Sequence, residues 1–273
     1  MLSVNTNVGA MIALQNLSKT NKSMEETQNR INTGLAVASA KDNGGIYAIA
    51  QTMRGDVAAM TAVNQSLARG KSVTDVALAA GEAISDLLVQ MKEKSLGAAD
   101  ASLDTTSRDA LNEDFVALRK QIASIVANAS FNGVNIIDGS TTSLASLASA
   151  SANRLTVSGE NMTLSGQIIT LATTANISTQ TGASTMLSTI NTSLNNVNQG
   201  LARLGTASRR LDLQMEFVTK LSDSLKSGIG NLVDADMAVE SARLQSLQVK
   251  QQLGVQALSI ANSAPQSIMS LFR

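Results

Sequence analysis

The sequence contains no cysteine, no histidine and no tryptophan. Without cysteine the chain lacks disulfides, thiolate nucleophiles and cysteine ligands for zinc or iron–sulfur clusters. Without histidine it also lacks the commonest general base and the commonest metal ligand. These absences exclude most familiar catalytic and metal-binding constellations. We therefore expect no catalytic residues, no cofactor and no bound metal.

Proline and aromatic residues are scarce. The single proline is Pro265, so residues 1–264 contain no proline that would break a helix. Aromatic residues make up 2% of the chain although 44% of it is hydrophobic, so its apolar surface consists mainly of Ala, Leu, Val, Ile and Met. These side chains suit the packing of long helices against one another. The composition therefore predicts a mainly α-helical protein.

The charge balance and the short hydrophobic runs exclude two kinds of partner. The chain has 21 basic and 21 acidic residues and a formal net charge of +0, so bulk electrostatics do not favour nucleic-acid binding. No apolar run reaches the roughly 18 residues of a membrane span, so no membrane partner is expected. The N-terminus has no basic segment before an apolar core, so a cleaved secretory signal is not expected.

The C-terminal stretch from Asn231 reads as a helix with apolar residues on two opposite sides. At about 100° per residue, one sector contains Met237, Leu244, Leu247, Val255 and Leu258. The opposite sector contains Val239, Val249, Leu253 and Ile260. A helix on the surface of an ordinary globular domain shows one apolar stripe. Two stripes predict one neighbour from the same chain and a second from another copy; the alternative is a helix buried within a single domain.

The N-terminal stretch from Val4 to Leu35 is also predicted to be helical. Its apolar positions step mostly by three, four or seven residues, which is coiled-coil spacing: Val8, Met11, Leu14, Leu17, Met24, Ile31 and Leu35. Asn21 and Gln28 are assigned to the same seam, where polar residues restrict register and partner choice. An amphipathic helix packed on its own domain is the alternative interpretation.

Between these two stretches, turn residues separate further helices. Gly34 and the Asn43-Gly44-Gly45 sequence predict a connector within residues 31–54, although no GK[ST] ending indicates a phosphate loop. Helices are predicted over residues 46–100, over about 105–128 with Thr106 or Ser107 as the cap, and again from residue 184. The ASFNGVNIIDGS sequence after the second of these helices predicts a turn-rich segment.

Residues 140–185 are rich in serine and threonine and are predicted to contain a small β-hairpin. The LTV and MTL sequences flank SGEN and are assigned as its two strands, and QIITLATTANIST is assigned as a further extended segment. We predict mainly α architecture, with long paired helices from both ends forming a coiled-coil rod. The predicted segments are the inner coiled coil (1–45 and 233–273), a helical rod (46–140 and 186–232) and the β-containing insert (141–185).

Several separated motifs carry a family resemblance. They are SVNTNVGAMIALQNL and INTGLAVASAKDNGGIYAIAQTMR near the N-terminus, FNGVNIIDG, and then NLVDADMAVESARLQ and QALSIANSAPQSIMSLFR near the C-terminus. In this order they resemble bacterial flagellin over roughly residues 1–140 and 185–273. Only about forty-five residues lie between the two halves, so the chain resembles a short flagellin without the large outer domains.

The resemblance implies a structural subunit that polymerises into the helical filament of the bacterial flagellum and serves motility. In the family, the first and last forty or so residues form an inner coiled-coil layer. The implied partners are other copies of the chain, alone or mixed with other flagellins, together with the flagellar type III export apparatus, an export chaperone, the filament cap and junction proteins. The implied location is the extracellular filament, reached without a cleaved signal peptide. The expected assembly interface comprises Val8, Met11, Leu14, Leu17, Met24, Ile31, Leu244, Leu247, Val249, Leu253, Val255, Leu258 and Ile260.

The sequence is also compatible with three alternatives. A hook–filament junction protein of the flagellum would share the terminal helices. A soluble signalling coiled-coil rod would share the Ala-rich and Gln-rich composition but would have no β insert. An enzyme would have to rely on carboxylates such as Asp234, Asp236 and Glu240, which are more simply explained as favourable charges near a helix N-terminus. The chain is therefore not expected to be an enzyme.

Overall fold

The computed structural model describes residues 6–269, with side chains described to residue 263. Within that range the chain forms helices and one two-stranded sheet in the order α1 (Val8–Thr33), α2 (Gly44–Ala98), α3 (Thr105–Asn128), β1 (Ser143–Leu147), β2 (Arg154–Ser158), α4 (Gln180–Val233) and α5 (Met237–Met269). This confirms the mainly α fold with a small β insert. The predicted helix start at Val4 and the terminal SLFR sequence lie outside the described residues. None of the helices in the described range is long and apolar enough to cross a membrane.

The ends of α1 are set by local side-chain and backbone chemistry. The Oδ1 atom of Asn7 accepts a hydrogen bond of 3.0 Å from the backbone N–H of Ala10, which satisfies one of the free donors in the first turn. At the other end Gly34 adopts φ 72°, and its N–H donates to the Arg30 carbonyl at 2.9 Å. Glycine reaches this left-handed conformation without the Cβ clash that other residues incur. The predicted interruption at Gly34 is confirmed.

The cap of α3 differs from the prediction. Asp104, rather than Thr106 or Ser107, occupies the N-cap position, and its carboxylate accepts a hydrogen bond of 3.4 Å from the backbone N–H of Ser107. The prediction was wrong because α3 begins at Thr105, which leaves the preceding residue in the capping conformation. A carboxylate at this place also interacts favourably with the helix dipole.

Contacts divide the chain into two compact units. We call residues 56–223 the central unit, and residues 1–55 together with 224–273 the terminal unit. The unit boundaries fall within α2 and α4, whereas the sequence placed its boundaries at 45/46 and 232/233. The five-segment division therefore stays a prediction.

In the central unit, α2 and α4 pack as an antiparallel pair along heptad seams. Buried positions on α2 recur every three or four residues: Met60, Val63, Leu67, Gly70, Thr74, Ala77, Gly81, Ile84, Leu88, Met91, Ser95 and Ala98. Buried residues on α4 follow the same spacing through Ile190, Val197, Leu204, Leu211 and Val218. Cross-helix hydrogen bonds fix the direction, because Lys71 bonds Asp212 at 3.0 Å whereas the earlier Asn64 bonds the later Thr219 at 3.3 Å. This pairing supplies about half of the core of the central unit, and α3 with the segments between α3 and α4 supplies the rest.

The β-hairpin is present, but its strands differ from those predicted. The LTV sequence lies in β2, whose antiparallel partner is the preceding strand β1, with Ala145 opposite Thr156. The MTL sequence is not its partner, because the backbone after β2 bonds to an earlier turn. The N–H groups of Glu160 and Met162 donate to the carbonyls of Ile136 and Ile137 at 2.7 and 2.8 Å. These bonds hold the Met162 side chain fully buried in the core.

Residues 167–179 form no β-strand, so the prediction of a further extended segment is also wrong. One isolated bridge joins Leu164 to Ile169, and side chains of α3 and α4 satisfy much of the remaining backbone. The Asn112 side chain accepts from the Ile177 N–H at 2.8 Å, Arg119 donates to the Ala175 carbonyl, and Asn196 donates to the Ile168 carbonyl at 3.2 Å. The segment buries Ile169, Leu171 and Ile177 without strand pairing.

Candidate assembly surface

Helices α1 and α5 form an antiparallel pair in the terminal unit. Their polar contacts establish the direction, because partners later in α1 meet residues earlier in α5. The Nδ2 atom of Asn7 donates to the Ala261 carbonyl at 2.7 Å, and the Nε2 atom of Gln251 donates to Asn21 at 2.8 Å. Near the other end of the pair, Arg30 contacts Glu240 at 3.0 Å. Both chain ends thus contribute to one helical pair.

The positions covered within this pair follow a heptad in both helices. On α1 they are Ala10, Ala13, Leu17, Thr20, Met24, Thr27 and Ile31; on α5 they are Glu240, Leu244, Leu247, Gln251, Gly254, Leu258 and Ala261. Alternating steps of three and four residues are the coiled-coil repeat. The prediction of coiled-coil spacing near both ends of the chain is therefore confirmed.

The predicted membership of the α1 seam is partly wrong. Val8, Met11 and Leu14 are each more than half exposed, and Asn21 and Gln28 are exposed as well. Three successive steps of three residues rotate about 180° around a helix, so the run from Val8 to Leu17 cannot follow one seam. Alanine and threonine occupy the seam positions that a search for large apolar residues passes over. A count in sevens back from Ile31 through Met24 and Leu17 gives Ala10, which identifies the seam.

A glycine lets the two helices approach closely. A Cβ atom placed on Gly254 would lie 3.2 Å from the Cδ1 atom of Leu17. That separation is tight for two carbon atoms, so a larger residue would push α1 and α5 apart. The Leu17 side chain therefore packs directly over the α5 backbone.

A buried ion pair lies in the same seam. The Glu240 side chain is 8% exposed, and its Oε1 atom lies 3.0 Å from Arg30 and 3.7 Å from Arg243. Its Oε2 atom is buried without a hydrogen-bond partner among the described residues. A charged residue at a seam position is tolerated in the register that pairs it, so Arg30 and Glu240 favour one alignment of α1 on α5.

The acidic residues at the start of α5 have structural partners. The Asp236 carboxylate accepts hydrogen bonds from the N–H groups of Ala238 at 2.9 Å and Val239 at 3.2 Å, so Asp236 caps the helix. Asp234 forms a backbone bridge with Leu35. No cluster of three potential metal ligands occurs among the residues described. Asp234 thus forms a backbone bridge, Asp236 caps the helix and Glu240 pairs with arginine.

Large apolar side chains outside the seam are uncovered, most of them on the far sides of α1 and α5, with Leu14 and Val255 flanking the seam. We call this set the outward face: Val8, Met11, Ile12, Leu14, Val239, Val249, Leu253, Val255 and Ile260, which are 53–71% exposed. Single exposed apolar residues are ordinary, but nine on one helix pair indicate a surface that binds another molecule.

The expected interface residues therefore separate into two groups. Leu17, Met24, Ile31, Leu244, Leu247 and Leu258 lie on the internal seam, and Val8, Met11, Leu14, Val249, Leu253, Val255 and Ile260 belong to the outward face. The prediction that Val255 shares the sector of Leu244 was wrong in its consequence, because Val255 lies beside the seam residue Gly254 and is 54% exposed. Sequence reasoning missed Ile12, which follows Met11 on the exposed side of α1. No apolar residue lies seven positions after it, since that position is Lys19. Contact of these residues with another copy stays a prediction.

Comparison with known proteins matches both ends of the chain to one family. The description "Bacterial flagellin N-terminal helical region" matches residues 4–142, and "Bacterial flagellin C-terminal helical region" matches residues 187–272. Flagellin FljK of Caulobacter vibrioides is 56% identical, over 99% of this chain and 98% of that protein. A flagellin of Brucella melitensis is 40% identical over the full length of both chains.

Solved structures share the fold at lower identity. A putative flagellar hook-associated protein from Vibrio parahaemolyticus has a TM-score of 0.59 at 14% identity, covering 71% of this chain and all of that one. Bacillus cereus flagellin has a TM-score of 0.50 at 23% identity, covering 56% of this chain and 88% of that one. These likenesses concern the fold alone, whereas the full-length sequence matches decide the family. The chain belongs to the bacterial flagellins, the structural subunits of the flagellar filament.

Proposed function

We propose that the outward face of α1 and α5 is a surface through which neighbouring copies pack in the filament. The observation that carries this proposal is the exposure of Val249, Leu253 and Ile260, at 55%, 58% and 71%, on a helix whose other side is already covered by α1. A filament subunit needs apolar surface that is covered only after assembly. The internal seam, by contrast, belongs to the single chain.

Burial of the outward face supplies a driving force for polymerisation. Covering one Val, Leu, Ile or Met side chain contributes about 1.5–3 kcal/mol before the cost of ordering is subtracted. Because each subunit carries several such side chains, we expect the loss of any one of them to weaken filament growth measurably. Head-to-tail contacts that do not close into a ring extend as a helical polymer.

Seeded growth tests the proposal. Purified chain is added to short filament fragments, and filament length is followed by electron microscopy. Leu253→Asp places a charge on the outward face and is expected to stop elongation, because an uncompensated charge would be buried at the new contact. Leu253→Met conserves the volume and the apolar character and is expected to elongate like the wild type.

A third variant separates the outward face from the seam. Leu247 is 9% exposed on the seam, so Leu247→Asp is expected to lower the helical circular dichroism of the unassembled chain, whereas Leu253→Asp leaves it unchanged. Wild-type elongation by Leu253→Asp would exclude this face as the contact. Loss of helical signal in Leu253→Asp would assign Leu253 to the fold of the single chain.

Further partners are proposed on family membership alone. They are the export apparatus, an export chaperone, the filament cap and the junction proteins, with export occurring without a cleaved signal peptide. Co-assembly with other flagellins is likewise proposed, and Caulobacter vibrioides has several relatives of this chain, among them FljK and FljM. Growth of this chain on seeds of a second flagellin would demonstrate mixing directly.

A further inference from the structure

The central unit exposes a pair of large apolar side chains that its own fold does not use. Leu213 and Phe217 lie one turn apart on α4 and are 65% and 55% exposed. Residues four apart share one face of a helix, so the two side chains form one apolar projection. The neighbouring Leu211 and Val218 point into the core instead and are buried. We call Leu213 and Phe217 the α4 apolar pair.

The same unit has an open pocket between α2, the turn at residues 131–134 and strand β1, and polar and apolar side chains line it in similar proportion. Its volume is about 250 Å³, and its apolar lining includes Val73, Phe131, Val134 and Leu144. An apolar cavity of about 150 Å³ is large enough to hold a benzene ring. We call this cavity the hairpin pocket, and by volume it can accept a phenylalanine side chain.

Hydrogen bonds across the helix pair place both features at one level of the central unit. Lys71 bonds Asp212 at 3.0 Å, and Asn64 bonds Thr219 at 3.3 Å. These two ties bracket Ser66, Arg69 and Gly70 of the pocket and also bracket the α4 apolar pair, whereas Val73 lies just beyond Lys71. A contact between the two features on different copies therefore joins neighbours side by side at a similar level.

Charge at the rims is complementary. Arg69 lines the pocket, is exposed, and forms no ion pair with another side chain in the described part of the chain. Asp212 and Glu216 each precede a member of the α4 apolar pair, with side chains 51% and 59% exposed. Both acids already bind lysines of their own chain, so an approaching arginine would share them. The pocket rim thus carries an arginine, and the projection carries two acids that are each paired with a lysine.

We propose that the α4 apolar pair of one copy inserts into the hairpin pocket of a neighbouring copy in the filament. A polymer that extends without closing needs two different, complementary surfaces on each subunit, and the central unit provides a projection and a recess. The proposal rests on polymerisation of the chain but not on the outward face of α1 and α5. It adds a lateral contact between central units.

Cross-linking between two cysteine variants tests the contact, since the natural chain has no cysteine. Chains carrying Lys220→Cys, an exposed position one turn after Phe217 that keeps the ring, are mixed with chains carrying Ala145→Cys, whose position lines the pocket and is exposed. The mixture is grown on seeds and treated with a short bis-maleimide. Covalent heterodimers are expected in filaments and not in unassembled chains. The matched control replaces Lys220→Cys by Val89→Cys, at an exposed position on α2, and is expected to give no heterodimer.

The strength of the contact is read from the critical concentration for growth. Phe217→Ser is expected to raise it by about tenfold to a hundredfold, because an apolar ring no longer leaves water on assembly. Filaments that form normally without heterodimers, equal cross-linking by the Val89→Cys control, or an unchanged critical concentration would each overturn the lateral contact. Those outcomes leave the outward face intact, whereas failure of the outward face appears as normal growth of Leu253→Asp.

Discussion

Glycines at helix contacts determine how closely parts of the central unit approach one another. A Cβ atom on Gly70 would collide with the Oγ atom of Ser146 and lie 3.3 Å from its Cβ atom, so strand β1 packs directly on the α2 backbone at this point. Gly205 on α4 has no atom within 4 Å of the corresponding position. The packing therefore requires glycine at position 70, whereas position 205 has room for a side chain.

Substitution of these two glycines by alanine should change stability in opposite directions. Gly205→Ala is expected to raise the free energy of unfolding by about 0.5–1 kcal/mol, because alanine loses less backbone entropy in a helix. Gly70→Ala is expected to lower it by roughly 1–3 kcal/mol, because the hairpin must shift to admit the methyl group. Urea unfolding of the unassembled chain gives both values. A stabilised Gly70→Ala variant would mean that the hairpin is not held against α2 as described.

At the scale of the element, each helix depends on its ends as well as on its buried face. The Ser107 hydroxyl and backbone N–H lower the pKa of the Asp104 carboxyl below its ordinary value of 3.8. A carboxyl with a lowered pKa in the folded state stabilises that state above its unfolded pKa. This contribution disappears as the pH falls through the folded pKa.

We therefore expect the first turn of α3 to loosen in acid. Protection of the Ser107 amide against hydrogen exchange should be constant from neutral pH down to about pH 4 and should fall below it, after correction for the intrinsic exchange rate. Asp104→Asn keeps a capping oxygen that does not titrate, so its protection should not show this fall. An identical acid response in the variant would assign the loosening to another group.

At the scale of the whole molecule, the terminal and central units have separate cores. Val37, Ala50 and Val233 form a small buried cluster in the terminal unit, and the large cluster lies in the central unit. Removal of α5 leaves the central unit complete. Val233 is 1% exposed, so a truncation that keeps residues 233–236 preserves the small cluster as well.

A chain ending at Asp236 should remain folded in its central unit but should not add to filaments. Its urea midpoint for the central unit is expected to match that of the full chain, because none of the α5 side chains that the structure describes belongs to that core. In seeded growth it should fail to elongate, because the α5 part of the outward face is gone. Elongation of the truncated chain at the full-length rate would show that α5 is not a polymer contact.

The sequence by itself determined the helical class, the positions of most helices and the family. The lack of proline before residue 265 and the small apolar side chains favour long helices wherever they lie in the fold, and the turn residues at Gly34 and Asn43 mark breaks by local backbone chemistry. The two apolar sides of α5 were also readable, since about 100° per residue is fixed by helix geometry. Such properties depend on residues that are close in sequence, so they can be predicted from the sequence alone.

Only the tertiary structure decided which apolar residues face a partner within the chain. Ala10 and Thr27 lie on the seam while Met11 and Leu14 do not, because the register of α1 on α5 places covered positions without regard to side-chain size. The pairing of β1 with β2 and the anchoring of residues 167–179 likewise depend on distant groups such as Ile136 and Asn112. Contacts between residues far apart in sequence produce no local periodic pattern, so only the tertiary structure reveals them.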